Sequence, residues 1–124
     1  MASIVCIHPS TDVPGALELP LREMGHAPIR CEGFEQAARA LEDSPVDLIL
    51  AESHFPGGTA LGLLQWLRDR QLDVPLIVMT SYSRLEEARA AMKQGALDYL
   101  TLPPRAETLR LAIGQALQVS VLRR

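Results

Sequence analysis

The sequence predicts a single α/β domain in which helices cover both faces of a parallel β-sheet. Short apolar runs alternate with longer segments of helical periodicity along the 124 residues. The apolar runs are continuous, as in strands buried on both faces, and this length suits one domain with a substantial core. Apolar residues make up 48% of the chain and charged residues 22%, a composition that excludes a disordered protein.

The first half of the chain predicts strand, helix, strand, helix and strand in that order. The strands are apolar runs at residues 4–7, 27–31 and 48–51. The first helix spans residues 13–24, with Thr11 or Asp12 as its N-cap and Gly25 as its end. Pro20 is expected to kink or split this helix, because proline removes a backbone hydrogen bond. The second helix shows helical spacing of apolar residues at Phe34, Ala37, Ala38 and Leu41.

The second half continues the alternation of helices and strands. The two remaining strands are apolar runs at residues 74–80 and 97–101. Three helices are predicted from apolar stripes at Ala60, Leu63, Leu64 and Leu67, at Leu85, Ala88 and Met92, and at Leu109, Ile113, Ala116, Leu117 and Val121. The fourth helix ends near Gly95, and the fifth begins at Pro103-Pro104. Because the last helix reaches Arg124 without a C-cap glycine, we expect residues 1–124 to form one domain whose last helix continues into a linker.

Composition and charge exclude several classes of function. The net charge is -3, Lys93 is the only lysine, and the arginines are scattered, so we expect no direct binding to nucleic acid. No apolar run approaches the roughly 20 residues of a membrane helix. No basic region precedes the first short apolar run, so we expect no secretory signal. Cys6 and Cys31 are too few for a disulfide framework or a zinc site. We therefore expect a cytoplasmic domain without a cofactor or a membrane contact.

The predicted strand ends resemble the receiver domain of two-component response regulators. Residues 47–58 are similar to the third strand and following loop of that family, residues 76–82 to its fourth strand, and residues 92–103 to its fourth-helix end and fifth strand. The second half is most similar to receivers of sigma-54-dependent transcription activators. The resemblance implies a flavodoxin-like three-layer sandwich, with five helices and a five-stranded parallel sheet of strand order 2-1-3-4-5.

The resemblance also assigns the positions at which receivers form an acyl phosphate. It places the phosphoacceptor at Glu52, the Mg²⁺-binding acidic pair at His8 and Pro9, the phosphoryl-sensing hydroxyl at Thr80, the switch aromatic at Tyr99 and the lysine at Leu102. The residues at two of these positions, Thr80 and Tyr99, match the family, and those at the others do not. Mg²⁺ prefers oxygen ligands, and loss of one electrostatic donor lowers such rates about 10²–10³-fold. The sequence therefore predicts a non-enzymatic pseudo-receiver that is not phosphorylated by the Mg²⁺-dependent route.

Alternative interpretations of the same residues stay open. Glu52 is either a fixed stand-in for a phosphorylated aspartate or a remnant of lost chemistry, and a pair of Glu52 with His8 would titrate near neutrality. In a rival hypothesis, Glu52 or Ser53 accepts phosphate by an altered route. In another, the crevice senses a ligand or a metal, with His8, Glu52 and His54 as the metal-binding set.

The predicted partners are proteins. The last helix carries Leu111, Val119 and Leu122 beside its core stripe, which is more apolar surface than one buried face needs. The fourth helix, fifth strand and fifth helix add a surface of mixed charge, formed by Arg89, Lys93, Asp98, Arg105, Glu107 and Arg110. We expect this surface to support self-association or contact with an output domain, which the resemblance implies regulates transcription through DNA contacts made elsewhere.

Overall fold

The strands of the structure follow the predicted apolar runs closely. The computed structural model describes residues 1–8 and 17–123. Its strands are β1 (Ser3–Ile7), β2 (Ala27–Cys31), β3 (Leu48–Glu52), β4 (His54–Phe55), β5 (Gly58–Thr59), β6 (Leu76–Thr80) and β7 (Asp98–Thr101). Five of them form one parallel sheet in the order β2-β1-β3-β6-β7. Because β4 and β5 pair separately as a hairpin, the five long strands have the predicted order 2-1-3-4-5.

Helices cover both faces of this sheet. The described helices are α1 (Glu18–Glu23), α2 (Phe34–Asp43), α3 (Ala60–Asp69), α4 (Leu85–Lys93) and α5 (Ala106–Arg123), with a 3-10 turn at Tyr82–Arg84 before α4. Buried residues of α2, α3 and α4 pack in one layer of the core, and those of α1 and α5 pack in the other. None of these helices is long and apolar enough to cross a membrane.

The central position of β3 in the sheet explains why its sequence is apolar without alternation. Ile49 and Ala51 belong to the core layer beneath α2, α3 and α4, and Leu48 and Leu50 belong to the layer beneath α1 and α5. All four side chains are completely buried. A strand covered on both faces has no solvent side, so the polar alternation of an exposed strand is lost. The end of β3 is thereby fixed at the middle of the sheet edge.

The prediction that Pro20 kinks or splits the first helix is wrong for the described residues. Helix α1 begins at Glu18, so Pro20 lies in its first turn. Backbone N–H groups of the first turn have no partner within the helix, and proline is therefore accommodated there. The predicted N-caps Thr11 and Asp12 and the early part of the predicted helix lie outside the described residues.

Two residues assigned to apolar stripes are exposed. Met92 of α4 and Val121 of α5 face solvent, whereas their neighbours Ala91 and Ser120 are buried. Successive residues of a helix point about 100° apart, so a stripe read one position out of phase exchanges a core residue for a surface residue. The small side chains of Ala91 and Ser120 gave no hydrophobic signal to correct the phase.

The hairpin of β4 and β5 was not predicted, because each strand has only two residues. Pro56 and Gly57 connect the strands, and Gly57 has a φ of +84°, which is typical of the third residue of a type II turn after proline. The hairpin packs against the start of α2, where a Cβ on Gly33 would clash with the carbonyl oxygen of Pro56. The loop after β3 is therefore held against α2 by a close approach that glycine permits.

Candidate functional site

The carboxyl ends of β1, β3 and β6 bring most of the predicted site residues to one edge of the sheet. His8 follows β1, Glu52 ends β3, and Thr80 ends β6. These strands are direct neighbours in the sheet, and ligand sites of open parallel sheets lie at such strand ends. Pro9, the second position of the predicted acidic pair, lies outside the described residues.

His8 is buried and hydrogen-bonded to a residue that the sequence analysis did not consider. Its Nε2 lies 3.0 Å and 3.2 Å from the two carboxylate oxygens of Glu18 on α1. The side chains of His8 and Glu18 are 5% and 7% exposed. The carboxylate at Nε2 of His8 is thus Glu18, and the predicted pair of His8 with Glu52 stays a prediction.

Glu52 is the last residue of the central strand β3 and is partly buried. It pairs in register with Met79 at the end of β6. Its Oε2 atom is buried from solvent. At least one carboxylate oxygen of Glu52 is therefore shielded from water at the end of β3.

Ser53, Thr80 and Glu87 form a chain of hydrogen bonds across the crevice, and we call these three residues the latch. The hydroxyl of Ser53 donates to Oε1 of Glu87 at 3.1 Å and lies 3.2 Å from the hydroxyl oxygen of Thr80. Ser53 and Thr80 are both buried. The latch joins the ends of β3 and β6 to the first turn of α4.

His54 lies on the solvent side of the latch, between a cation and an anion. Its Nδ1 is 2.9 Å from Oε2 of Glu87 and 3.0 Å from a guanidinium nitrogen of Arg84. A single ring nitrogen either donates to the carboxylate or accepts from the guanidinium, depending on its protonation. Both contacts involve one charged group, so the protonation of Nδ1 decides whether His54 donates to Glu87 or accepts from Arg84.

The predicted metal-binding set is not assembled. His8 bonds to Glu18, and His54 bonds to Glu87. Among the described residues, no three His, Cys, Asp or Glu side chains lie close enough together to hold a metal ion. In this structure His8, Glu52 and His54 are therefore not gathered into one cluster, and neighbouring carboxylates engage both imidazoles.

The residues at the family positions do not fit Mg²⁺ either. This ion requires near-octahedral oxygen ligands. The imidazole of His8 supplies a nitrogen, and that nitrogen is already engaged with Glu18. In the part of the chain that the structure describes, the strand ends hold no three-residue cluster suited to a cation.

Leu102 and Tyr99 complete the set of predicted positions at β7. The side chain of Leu102 packs against the core layer beneath α1 and α5, and its backbone N–H donates to the carbonyl of Thr80 at 2.8 Å. An apolar side chain at this position brings no positive charge to the crevice. Tyr99 is 44% exposed and points outward.

Tyr99 lines an apolar groove on the outer face of α4, β7 and α5. Tyr82 and Leu111, which are 75% and 66% exposed, line the same groove. The groove coincides with the surface predicted for protein contacts. Val119 of α5 is half-buried and Leu122 is exposed, so part of the additional apolar surface lies further along the helix.

The two cysteines have no catalytic arrangement. Cys6 and Cys31 lie on neighbouring strands but belong to opposite core layers. Burial raises the pKa of both thiols above the ordinary value. Because the thiolate is the nucleophilic form, these groups are inert at neutral pH.

Glu18 and Glu87 are the polar residues of the site that sequence reasoning missed. Each carried a signal in its helical spacing. Glu18 is one turn before the buried Leu21, and Glu87 is one turn before the buried Ala91. A carboxylate on the flank of a buried face points towards the sheet rather than into solvent.

Comparison with known sequences identifies related proteins. The response regulator receiver domain family matches residues 7–114. The response regulator protein PilR of Pseudomonas aeruginosa is 32% identical over 108 residues, which are 87% of this chain and 24% of PilR. The DNA-binding transcriptional regulator NtrC of Escherichia coli K12 is 36% identical over 85 residues, which are 66% of this chain and 18% of NtrC. The chain thus spans about a quarter or less of the length of these relatives.

Solved structures share the fold. NtrX from Brucella abortus superposes with a TM-score of 0.89 at 24% identity, over 99% of this chain and 28% of NtrX. The beryllofluoride-activated NtrC4 receiver domain, a dimer in solution, superposes with a TM-score of 0.87 at 21% identity, over 97% of this chain and 99% of that one. These likenesses establish a flavodoxin-like sandwich.

Proposed function

This chain belongs to the response regulator receiver domain family, and on that basis we propose that it is a pseudo-receiver, which regulates an output domain through protein contacts without phosphorylation at Glu52. PilR and NtrC are a response regulator and a transcriptional regulator by name. We therefore propose that the output is transcription and that DNA contacts are made by another part of the protein.

The hydrogen bonding of His8 is the observation that carries this proposal. Transfer of a phosphoryl group to a carboxylate depends on cations that neutralise the developing charge. The first position of the acidic pair holds an imidazole whose Nε2 is engaged with Glu18. The lysine position holds Leu102, which is partly buried and packs against the core layer beneath α1 and α5. The family's site has two cations, a Mg²⁺ ion held by the acidic pair and the lysine. The residues at these positions in this chain support neither.

The length of the Glu52 side chain also opposes phosphorylation. Glutamate carries its carboxylate one methylene further from the backbone than aspartate. Displacement of a reacting group by about 1 Å can lower a rate about 10²-fold. The three departures from the family affect one step, and their effects are not simply additive, but each opposes formation of the acyl phosphate.

Incubation with acetyl phosphate and Mg²⁺ tests the proposal. We expect the intact mass of the protein to stay unchanged, because the crevice does not stabilise the transferring group. A mass gain of one phosphoryl group that is abolished by Glu52→Gln would contradict the proposal. A gain abolished by Ser53→Ala would favour the rival hypothesis of a serine acceptor. The burial of Ser53 and its hydrogen bond to Glu87 argue against that acceptor.

We further propose that the groove of Tyr82, Tyr99 and Leu111 pairs with a second copy of the chain. Exposed aromatic and aliphatic residues at the centre of a polar rim are typical of protein interfaces. Asp98 of β7 lines the groove, and the neighbouring helix α4 carries the exposed basic residues Arg89 and Lys93. A surface with both signs of charge can complement its own copy across a two-fold axis. The dimeric state of the NtrC4 receiver is consistent with this mode.

Substitution of Leu111 tests the self-association. We expect Leu111→Arg to raise the dimer dissociation constant at least about tenfold, because it places a charge at the centre of the apolar groove. Sedimentation equilibrium measures that constant. Leu19→Arg on α1 is the matched control, since Leu19 is also exposed but does not line the groove. Equal effects of the two substitutions, or a monomeric parent protein, would argue against this interface.

A further inference from the structure

We propose that Glu87 is a built-in anion that holds the switch hydroxyl of Thr80 and the start of α4 in one position through Ser53. The proposal rests on the receiver function proposed above and adds a regulatory element within the same crevice. In the receiver family, the hydroxyl at the position of Thr80 senses a phosphoryl group. Here the carboxylate of Glu87 on α4 is connected to that hydroxyl through the hydroxyl of Ser53.

The number of hydroxyl protons in the latch determines which group donates in each of its hydrogen bonds. Serine has a single hydroxyl proton, and an ionised carboxylate can only accept. The proton of Ser53 is therefore committed to Oε1 of Glu87. The hydroxyl oxygen of Ser53 is left as an acceptor, so Thr80 donates to it across 3.2 Å. The alternative acceptor for Thr80, the carbonyl of Arg84, is further away at 3.4 Å. The chain of donors thus runs from Thr80 to Ser53 and ends on the Glu87 carboxylate.

Polar groups surround the carboxylate of Glu87 in this position. Its Oε2 faces Nδ1 of His54 at 2.9 Å, and the guanidinium of Arg84 is 3.7 Å from Oε1. Glu87 also lies in the first turn of α4, where the helix dipole stabilises negative charge. Hydrogen bonds to an ionised acceptor are shorter and stronger than those between neutral groups. The carboxylate is therefore a firmer anchor than a neutral side chain would be.

Helix α4 needs such an anchor because its apolar packing is small. The residues of α4 that are completely buried are Ala88 and Ala91. An alanine buries a single methyl group, and the free energy of burial scales with the apolar area removed from water. The start of α4 also lacks a side-chain cap at Arg84. The latch is thus a main connection of the first turn of α4 to the sheet edge.

The consequence concerns the surface proposed for protein contacts. Helix α4 follows Tyr82, and Tyr82 and Leu85 line the groove of Tyr99 and Leu111. With Glu87 bound to Ser53, this side of the groove keeps one arrangement without a phosphoryl group. We infer that Glu87 is a positioning residue for the contact surface and makes its conformation independent of phosphorylation.

Hydrogen exchange of the α4 amides tests the latch. We expect Glu87→Ala to accelerate exchange of residues 89–92 at least about tenfold, because loss of a hydrogen bond to a charged group lowers the local opening free energy. The methyl resonance of Thr80 is expected to shift in the same variant. Glu87→Gln keeps an acceptor but loses the charge, so its effect should be intermediate. Urea unfolding, followed by Trp66 fluorescence, monitors global stability.

The neighbouring Glu86 provides a matched control. Glu86→Ala removes the same charge from the same helical turn, but Glu86 is exposed and pairs with Arg89. If Glu87→Ala accelerates the α4 amides no more than Glu86→Ala, or accelerates the sheet amides equally, the latch does not exist. Ser53→Ala combined with Glu87→Ala should add little to Glu87→Ala alone, since both break one chain of hydrogen bonds. These measurements use no phosphodonor, so their failure is distinct from a failure of the pseudo-receiver proposal.

Discussion

Replacement of Glu18 by alanine is expected to lower the free energy of unfolding by about 3–5 kcal/mol, the usual effect of removing one partner from a buried pair. His8 and Glu18 are both nearly inaccessible to solvent, and both carboxylate oxygens lie within 3.2 Å of Nε2. The substitution leaves the buried imidazole without the acceptor of its Nε2 proton, and it also removes packing at the start of α1. Equilibrium unfolding in urea measures the change.

Glu23→Ala is the matched control for this experiment. Glu23 is on the same short helix, but its side chain is 57% exposed and lies 3.7 Å from Arg110. Exposed ion pairs contribute about 0–1 kcal/mol. A double variant, His8→Leu with Glu18→Met, is expected to recover most of the stability, because apolar replacement of both partners removes the desolvation penalty. Similar losses for Glu18→Ala and Glu23→Ala would show that the buried pair contributes little.

Leu50→Ala is expected to lower the free energy of unfolding by about 2–5 kcal/mol. Leu50 is completely buried in the central strand β3, between Cys6 of β1 and Ile77 of β6. Removal of its side chain leaves a cavity beneath α1 and α5, which a sheet flanked on both sides cannot fill by collapsing. Because β3 carries Glu52 and Ser53 at its end, the same packing keeps the site residues in place.

Leu111→Ala removes the same atoms from the surface. Leu111 is mostly exposed on α5, and surface substitutions change stability by about 0.5 kcal/mol or less. Paired urea titrations of the two variants, under conditions in which the protein is monomeric, compare the effects directly. Comparable losses for Leu50→Ala and Leu111→Ala would mean that the layer beneath α1 and α5 is not the main core of the domain.

The two proposals describe different parts of one crevice. The pseudo-receiver proposal concerns the positive charges that acyl phosphate needs, at the positions of His8 and Leu102. The latch concerns a negative charge, Glu87, that reaches Thr80 through Ser53. If both hold, α4 is fixed by an internal carboxylate in a domain that does not receive a phosphoryl group. Output would then depend on which protein binds the groove.

The apolar runs predicted the sheet because burial on both faces leaves a strong and local signal. The predicted strand at residues 27–31 coincides with β2, and the one at residues 48–51 is β3 without Glu52. The family resemblance, now confirmed by the match over residues 7–114, placed the site residues at the strand ends. The roles assigned to Glu52, Thr80 and Tyr99 stay predictions, because they concern a response to a signal rather than a position.

The partners of these residues could not be predicted in the same way. Glu18 is ten residues from His8, and Glu87 is thirty-four from Ser53. No local pattern relates residues at such separations, since their approach depends on how a helix packs on the sheet. The prediction of a pair between His8 and Glu52 followed from the neighbouring strand ends, and the carboxylate that α1 brings to His8 was not considered.

The positions of the strands and their two buried faces were thus determined by the apolar runs of the sequence, because burial leaves a local hydrophobic signal. The strand order and the positions of the site residues came from the family resemblance. The tertiary structure alone decided which carboxylate each histidine meets and which hydroxyl reaches an anion. Hydrogen bonds act over about 3 Å, so a shift of one helical residue changes the partner without changing the fold.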